Sequence, residues 1–266
     1  MEPDLLAYDL GTGVRAFSTG RAGGFSTGPF ASFNANAFCG DDMRAVRLNR
    51  EGLCRFLGLD VSRLVIPRQV HGTCVCRVGE AFFRLAAAER AAALDGVDAV
   101  MTDLPQTCVA VSTADCMPLL FHDAAHHAVA AVHAGWRGTL RRIPEVALQA
   151  MSEAYGTCPA DVRVAIGPGI SLAAFEVGEE VYDAFREAGF PMEEVARRFP
   201  AGGGHAEKWH IDLLRANEGL LSHCGVPVSN VRRAGICTYL HPERFFSARR
   251  LGVRSGRILN GIFLTE

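Results

Sequence analysis

The sequence has no excess of charge of either sign, no long apolar run and no secretion signal. Its formal net charge is −2 with a pI near 6.5, and no long basic run occurs, so binding to nucleic acid or to an anionic membrane is not expected. The longest apolar runs, such as AVAAVHAGW, are too short to span a membrane. The stretch MEPDLLAYDL lacks the basic and apolar regions of a signal peptide. We therefore expect a cytoplasmic protein.

The cysteine pattern excludes a disulfide scaffold and the compact zinc motifs. Nine cysteines are scattered along 266 residues, and without a secretion signal we expect most of them to be reduced thiols. The segment CVC at 74–76 has one residue between its cysteines instead of two. This spacing excludes a thioredoxin motif or half of a zinc ribbon at that position. Internal repeats and low-complexity segments are absent as well.

The composition and the order of predicted elements indicate a globular α+β protein. Hydrophobic residues make up 49% of the chain and charged residues 21%, which is typical of a well-filled core. Apolar spacing predicts helices at 41–59, 80–94 and 139–156, strands at 14–18, 64–72 and 73–79, and adjacent antiparallel strands within 107–133. Because strands and helices alternate without a strict βαβ rhythm, we predict one α+β domain with mixed β-sheets over residues 1–266.

Three side chains of metal-ligand type, His71, Cys116 and His133, each lie at or near the end of an apolar segment. Two imidazoles and one thiolate suit zinc, and three protein ligands would leave a fourth position for water or substrate. On composition alone, a buried cysteine and two core histidines explain the same pattern. A nucleophilic pair of Cys116 with His133 is a further functional alternative.

Other candidate residues lie near these ligands or in glycine-rich turns. Asp115 and Arg137 flank the ligands in TADC and HAGWRG, where loops held by rigid strands often carry function. Arg21 lies in STGRAGG, which predicts either a phosphate-binding loop or a plain surface turn. Glu176, ahead of a predicted helix, is a candidate acid or base, with a helix-capping role as the alternative.

The segments RQVHG, TADCMPLLF, AVHAGWRG, AIGPGI, GICTY and FFSARR occur in this order along the chain. With them the chain resembles, over essentially its whole length, the laccase-domain (YfiH-type) purine nucleoside phosphorylase family, formerly called the multicopper polyphenol oxidase family. The resemblance implies layered mixed β-sheets flanked by helices. It also implies that His71, Cys116 and His133 bind a metal ion, usually zinc, with copper as an alternative.

The same resemblance implies a reaction on small molecules. A purine nucleoside (adenosine, inosine or guanosine) and phosphate would give the free base and ribose 1-phosphate, with adenosine deamination and methylthioadenosine phosphorolysis as further activities. Arg21 and Arg137 are then candidates for holding the phosphate, since charge-assisted forks suit this anion. Asp115 and Glu176 are candidates for moving protons during deamination. No oligomeric state is predicted.

The sequence departs from the family pattern at two positions, and three alternative functions remain to be considered. Phe38 stands where relatives often have histidine, and Ala248 where they usually have tyrosine, so substrate specificity or rate is expected to differ. The alternatives are a copper-dependent polyphenol oxidase, a Cys-dependent amidase acting on peptidoglycan precursors, and a non-catalytic metal-binding protein. A single site of two histidines and one cysteine gives no basis for the several copper centres that an oxidase of this type normally uses.

Overall fold

The computed structural model describes residues 2–201 and 205–266. Its strands follow one another along the chain as β1 (Leu5–Tyr8), β2 (Val14–Thr19), β3 (Leu64–Val65), β4 (Val75–Arg77), β5 (Ala99–Thr102), β6 (Cys108–Thr113), β7 (Met117–Asp123), β8 (Ala128–Ala134), β9 (Arg163–Ile166), β10 (Glu176–Val177), β11 (Ala196–Ala201), β12 (His205–Ile211), β13 (Val231–Arg233) and β14 (Ile258–Leu264).

The α-helices of the described residues are mostly short. They are α1 (Met43–Leu57), α2 (Glu80–Arg84), α3 (Ala87–Ala93), α4 (Trp136–Leu140), α5 (Ile143–Tyr155), α6 (Glu179–Glu187), α7 (Met192–Val195), α8 (Leu213–His223) and α9 (Ala248–Leu251). No helix in this part of the chain is long and apolar enough to cross a membrane.

The described strands form three sheets. The first sheet has the order β1-β2-β14-β6-β3 and the second has the order β13-β9-β7-β8-β5-β4. Both are mixed, because β3 pairs with β6, β4 with β5 and β13 with β9 in parallel, while their other pairs are antiparallel. The third sheet, β10-β12-β11, is antiparallel. These sheets, with their flanking helices, confirm the predicted fold class.

The first and second sheets pack face to face, and helices cover their outer faces. Side chains alternate across a strand, so β6 directs Val109 and Val111 into the core shared with Leu120 of β7, and Cys108 and Ala110 into the core beneath α1. On the outer face of the second sheet, apolar side chains of β7 and β8 pack against α5 and α8. The layers are therefore helix, sheet, sheet and helices.

Helix α1 shows why the helical prediction at 41–59 is confirmed. The Asp42 side chain accepts a hydrogen bond from the Arg44 amide at 2.9 Å and so caps the first turn. Gly58 ends the helix in the left-handed region, with φ 75°, which glycine adopts without steric cost. Between these caps, Val46, Leu53 and Leu57 form a buried stripe.

Several predicted boundaries are wrong. The strand predicted at 64–72 ends at Val65, because Pro67 lacks an amide donor, and the helices predicted at 80–94 and 139–156 are each broken in two. The strands within 107–133 do not all share a sheet, since β6 pairs with β14 in the first sheet while β7 and β8 pair in the second. Consecutive strands β6 and β7 therefore lie in different sheets. The turn at 114–116 connects them and lies between the two sheets.

Candidate metal centre

The three predicted ligands converge at one end of the β7–β8 hairpin. Cys116 directly precedes β7, and His133 lies opposite Pro118 in β8. His71 arrives from the segment after β3, with its backbone in the left-handed region at φ 61°. The ligand atoms of the three side chains lie within 4.8 Å of one another. No other such group of histidine, cysteine or carboxylate side chains occurs among the described residues.

A buried aspartate orients two of the three ligands. Asp98 is fully buried, and its carboxylate accepts a hydrogen bond from His133 Nδ1 at 2.7 Å, so the Nε2 atom of that ring is left for a metal. The same carboxylate accepts backbone amides of His71 at 2.9 Å and Gly72 at 2.7 Å. A carboxylate behind a ligating histidine is the usual support of a zinc site, because it fixes the tautomer and the ring orientation.

The electrostatics of the site favour charged forms of its side chains. Burial alone would raise the pKa of Cys116, but the positive charge of the neighbouring His133, together with His71, lowers it to about 6. Burial alone would lower the pKa of His133, but the Cys116 thiolate and Asp98 raise it to about 9. The hydrogen bond from His133 and the backbone amides likewise bring the pKa of Asp98 below its ordinary value, against the effect of burial. A thiolate is therefore available as a ligand near neutral pH, and metal binding at His133 Nε2 would release the proton that this ring carries.

The space around the ligands also fits a metal ion. Gly135 lies directly against the site, and a Cβ atom there would come within 2.8 Å of His71 Cδ2 and 2.9 Å of Cys116 Sγ. Any side chain at this position would therefore push into the ligand cluster. Ligands about 2.0–2.3 Å from a tetrahedral zinc ion lie about 3.3–3.8 Å apart, so closure of the widest pair by about 1 Å would complete the set.

The cluster opens into a cavity of about 290 Å³, which we name the metal cavity. Its polar wall includes Asn36, Gln69 and Arg257, and its apolar wall includes Phe38 and Ala248. Phe38 and Ala248, the two positions at which the resemblance implies a departure from the family pattern, therefore both line the metal cavity. At Phe38 the exposed fraction is 54%, so its ring offers a flat apolar surface at the mouth of the cavity.

Asp115 lies beside Cys116, but its carboxylate is turned away into the scaffold. One carboxylate oxygen accepts the Thr238 hydroxyl at 2.7 Å, and the other accepts the Arg249 amide at 2.7 Å. Its carbonyl accepts the Ile170 amide, and its backbone has φ 88°. These contacts give Asp115 a role in holding the turn that presents Cys116, and they leave its carboxylate no free oxygen facing a substrate.

The other predicted site residues are not among the side chains that line the metal cavity. Arg21 donates to the carbonyls of Ala31 and Pro242 and stacks on Phe246. Arg137 is exposed, with its guanidinium 4.2 Å from the centre of the Trp136 ring. Glu176 is exposed on β10 at the edge of the third sheet.

Sequence reasoning missed three residues of the site: Asp98, Gln69 and Arg257. Gln69 makes a two-pronged hydrogen bond to the backbone of Ser112, at 2.7 and 2.9 Å, and so ties the His71 segment to β6. Asp98 carried a usable signal, since it is an acidic residue inside the apolar run VDAVM, where an unpaired charge would be costly. Gln69 and Arg257 had no comparable signal.

Solved structures share this architecture over nearly the whole chain. The crystal structure of the hypothetical protein YfiH from Bacillus licheniformis matches with a TM-score of 0.88 and 29% identity, covering 98% of this chain and 97% of that one. The crystal structure of YlmD from Geobacillus stearothermophilus matches with a TM-score of 0.86 and 33% identity, covering 97% and 94%.

Curated relatives cover the chain to a similar extent. A purine nucleoside phosphorylase of Bacteroides thetaiotaomicron is 46% identical, over 94% of this chain and 92% of its own length. The adenosine deaminase RL5 of an unknown prokaryotic organism is 40% identical, over 94% of each chain. The family model described as multi-copper polyphenol oxidoreductase laccase matches residues 15–265. The chain is therefore a member of this laccase-domain family, together with the YfiH and YlmD proteins.

Proposed function

We propose that the chain is a zinc-dependent purine nucleoside phosphorylase that also acts on methylthioadenosine and deaminates adenosine. The observation that carries this proposal is the convergence of His71, Cys116 and His133 at a cavity, in a chain 46% identical to a named purine nucleoside phosphorylase. The cavity volume of about 290 Å³ suits a small polar substrate. All nine cysteines are free thiols, which supports the proposed cytoplasmic location.

The donor set favours zinc. Two imidazoles and a thiolate with an open fourth position are the ligands of a catalytic zinc site, and a bound zinc ion would supply a Lewis acid to the reacting centre. Copper accepts similar ligands. An oxidase would need further copper ligands, and the described residues contain one cluster.

Residues around the metal centre hold the three predicted ligands in position. Asp98 fixes the His133 ring and the backbone that carries His71, and Asp115 fixes the turn that carries Cys116. Gly135 leaves room beside His71 and Cys116. This preorganisation means that substrate binding does not have to assemble the site.

Arg257 is the arginine best placed to hold phosphate, because it lines the metal cavity whereas Arg21 and Arg137 do not. Its guanidinium makes three hydrogen bonds, to the carbonyls of Val253, Ser255 and Gly256. A guanidinium has five N–H donors, so two remain for an anion. The three carbonyl contacts fix the orientation of the group before phosphate arrives.

The lining of the cavity favours phosphorolysis over deamination as the main activity. Deamination needs an acid–base group, usually a carboxylate, beside the water that attacks the purine. No aspartate or glutamate is among the described residues that line the metal cavity. Phe38 would stack on the purine, and the small side chain of Ala248 leaves room for substituents.

Inosine cleavage as a function of phosphate concentration, measured beside adenosine deamination, tests the proposal. Arg257→Gln should weaken the response to phosphate by about 10- to 100-fold, the loss of one charge-assisted contact, with a smaller effect on deamination. Arg137→Ala, an exposed arginine on α4, is the matched control and should leave both reactions nearly unchanged. Inosine cleavage that does not depend on phosphate would refute a phosphorylase.

A Cys-dependent amidase is the second candidate, and the position of the Cys116 thiol beside His133, whose charge helps to lower the pKa of that thiol to about 6, favours it. In that reaction the thiolate attacks an amide carbonyl, and the imidazolium protonates the departing amine. Such an enzyme works without a metal ion, so the effect of Cys116→Ser on zinc content separates the two functions.

A further inference from the structure

A second, larger cavity lies next to the metal cavity, between α1, β3 and the helices α2 and α3. Its volume is about 590 Å³, and we name it the arginine cavity because Arg50, Arg68 and Arg90 line it. The rest of its wall is mainly apolar, from Leu64, Phe82 and neighbouring side chains.

The arginine cavity carries a net positive charge. Its charged lining residues are the three arginines and Asp95, which gives a formal charge of +2, from three positive groups and one negative group. The Asp95 carboxylate is already paired with Arg68. Neither Arg50 nor Arg90 has a carboxylate within 4.0 Å among the described residues.

Arg50 is held in place with its terminal nitrogens unused. Its Nε donates to the Ala35 carbonyl at 2.8 Å, and no other hydrogen bond of this side chain is formed within the described part of the chain. Burial lowers the pKa of the Arg50 guanidinium, as expected for a desolvated cation without an acidic partner. An anion in the cavity would complete both its charge and its hydrogen bonding.

Two aromatic rings add to the apolar wall. Phe82 is buried, whereas Phe38 is half exposed and lines both the arginine cavity and the metal cavity. Flat rings and guanidinium planes favour planar ligands, through stacking and cation–π contact. A phosphate group carries a charge of about −1.5 to −2 near neutral pH, which matches the charge of the lining residues.

We propose that the arginine cavity is a second ligand site, which binds an organic monophosphate with a planar aromatic body and holds its phosphate on Arg50. A nucleoside monophosphate has this chemistry. The site shares only Phe38 with the metal cavity. AMP is not a substrate of the proposed reaction, so AMP binding can be measured without turnover and does not depend on that reaction.

Calorimetric titration of the full-length protein with AMP tests the proposal, with adenosine, inorganic phosphate and octanoate as comparison probes. AMP should bind more tightly than each of the other three, because each lacks either the anion or the planar body. AMP binding no tighter than that of inorganic phosphate would overturn the proposal, and so would tighter binding of octanoate.

Three variants locate the AMP site. Arg50→Gln should weaken AMP binding about 10- to 100-fold through loss of the charge-assisted contact, and Ala91→Phe should block the cavity from an exposed position on α3. Arg55→Gln is the matched control: an exposed arginine on the same helix that does not line the cavity. AMP binding that survives both Arg50→Gln and Ala91→Phe would place AMP elsewhere and refute the assignment.

Inosine phosphorolysis without AMP separates the second site from the reaction. Ala91→Phe and Arg50→Gln should both keep the wild-type rate within about twofold, since neither side chain lines the metal cavity. Unfolding temperatures of the variants confirm that each is folded. A collapse of phosphorolysis in folded Arg50→Gln would assign Arg50 to the reacting centre and overturn the second site.

Discussion

At each end of the β7–β8 hairpin, a histidine ring donates a hydrogen bond to a fully buried aspartate. At one end, His133 Nδ1 lies 2.7 Å from Asp98; at the other, His126 Nδ1 lies 2.8 Å from Asp123. The two pairs are alike in residue type and in distance. Their surroundings differ: the His133 ring is buried, whereas the His126 side chain is 39% exposed at the turn.

The difference shows why one histidine–aspartate pair belongs to a candidate metal site and the other does not. Asp123 also accepts the amides of Ala125 and His126, so its hydrogen bonds close a turn. Asp98 instead accepts amides from the segment that carries His71, so its hydrogen bonds bring a distant ligand to His133. Two features therefore distinguish the end of the hairpin at His133, the metal end, from the end at His126, the turn end. They are the convergence of separate chain segments and the open space at Gly135.

Removing the histidine of each pair should give the largest difference in zinc affinity between the two ends of the hairpin. His133→Ala deletes a ligand and should weaken zinc binding by more than about 100-fold, beyond the loss typical of a supporting residue, with loss of phosphorolysis. His126→Ala at the turn should change zinc affinity and rate less than about twofold. Zinc titration against a chromogenic chelator measures both, and equal losses in the two variants would contradict the assignment.

Replacing each aspartate by asparagine tests the supporting carboxylate. Asp98→Asn should weaken zinc binding about 10- to 100-fold, because His133 loses the partner that fixes its orientation. Asp123→Asn should leave zinc binding unchanged while lowering the free energy of unfolding. Competition titration of zinc, with urea unfolding of the same samples, separates the two effects; an undiminished affinity in Asp98→Asn would rule out the supporting role.

Filling the space beside the ligands should have a smaller effect. Gly135→Ala places a methyl group within 3 Å of His71 and Cys116 and should weaken zinc binding by about tenfold, of the order found for a disturbed ligand shell. Gly52→Ala, in the middle of α1 with no atom within 4 Å of the new Cβ, is the control. It should stabilise the protein by about 0.5–1 kcal/mol without changing zinc affinity.

Lowering the pH should reduce the free energy of unfolding that Asp123 contributes at the turn end of the hairpin. Although burial opposes it, hydrogen bonds from the ring and the backbone amide of His126 help to hold the pKa of Asp123 below its ordinary value of 3.8. The ionised carboxylate therefore contributes stability above that value, and the contribution is lost as pH falls through the lowered pKa. The unfolding free energies of wild type and Asp123→Asn, about 1 kcal/mol apart at pH 6, should converge as the pH falls below 3.8. A gap that stays constant would contradict the lowered pKa.

The ligand set could be predicted from sequence because its residues lie in local motifs that also resemble a known family. The fold class and the limits of α1 followed from apolar spacing and caps. The division of β6 and β7 between two sheets could not be predicted, since it depends on which apolar faces meet over long range. His122 illustrates the same limit: it lies only a few residues from the hairpin turn in sequence, yet it is buried and its Nδ1 atom is hydrogen-bonded to the Leu10 carbonyl.

The arginines show a second limit of sequence reasoning. Arg137 is four positions from His133 in sequence, but α4 carries it onto Trp136 at the surface. Arg257 is more than a hundred residues from each ligand and still lines their cavity. Distance along the chain is a weak guide to which cation reaches a site, because the sheets bring distant loops together.

Metal content measured beside phosphorolysis, in wild type and Cys116→Ser, tests the central claim most directly. Mass spectrometry should find one zinc ion per wild-type chain, together with phosphate-dependent release of hypoxanthine from inosine. In folded Cys116→Ser both should fall together, because a hydroxyl is a poorer zinc ligand than a thiolate. Full zinc occupancy in the variant, with activity abolished, would contradict the account and identify Cys116 as a nucleophile.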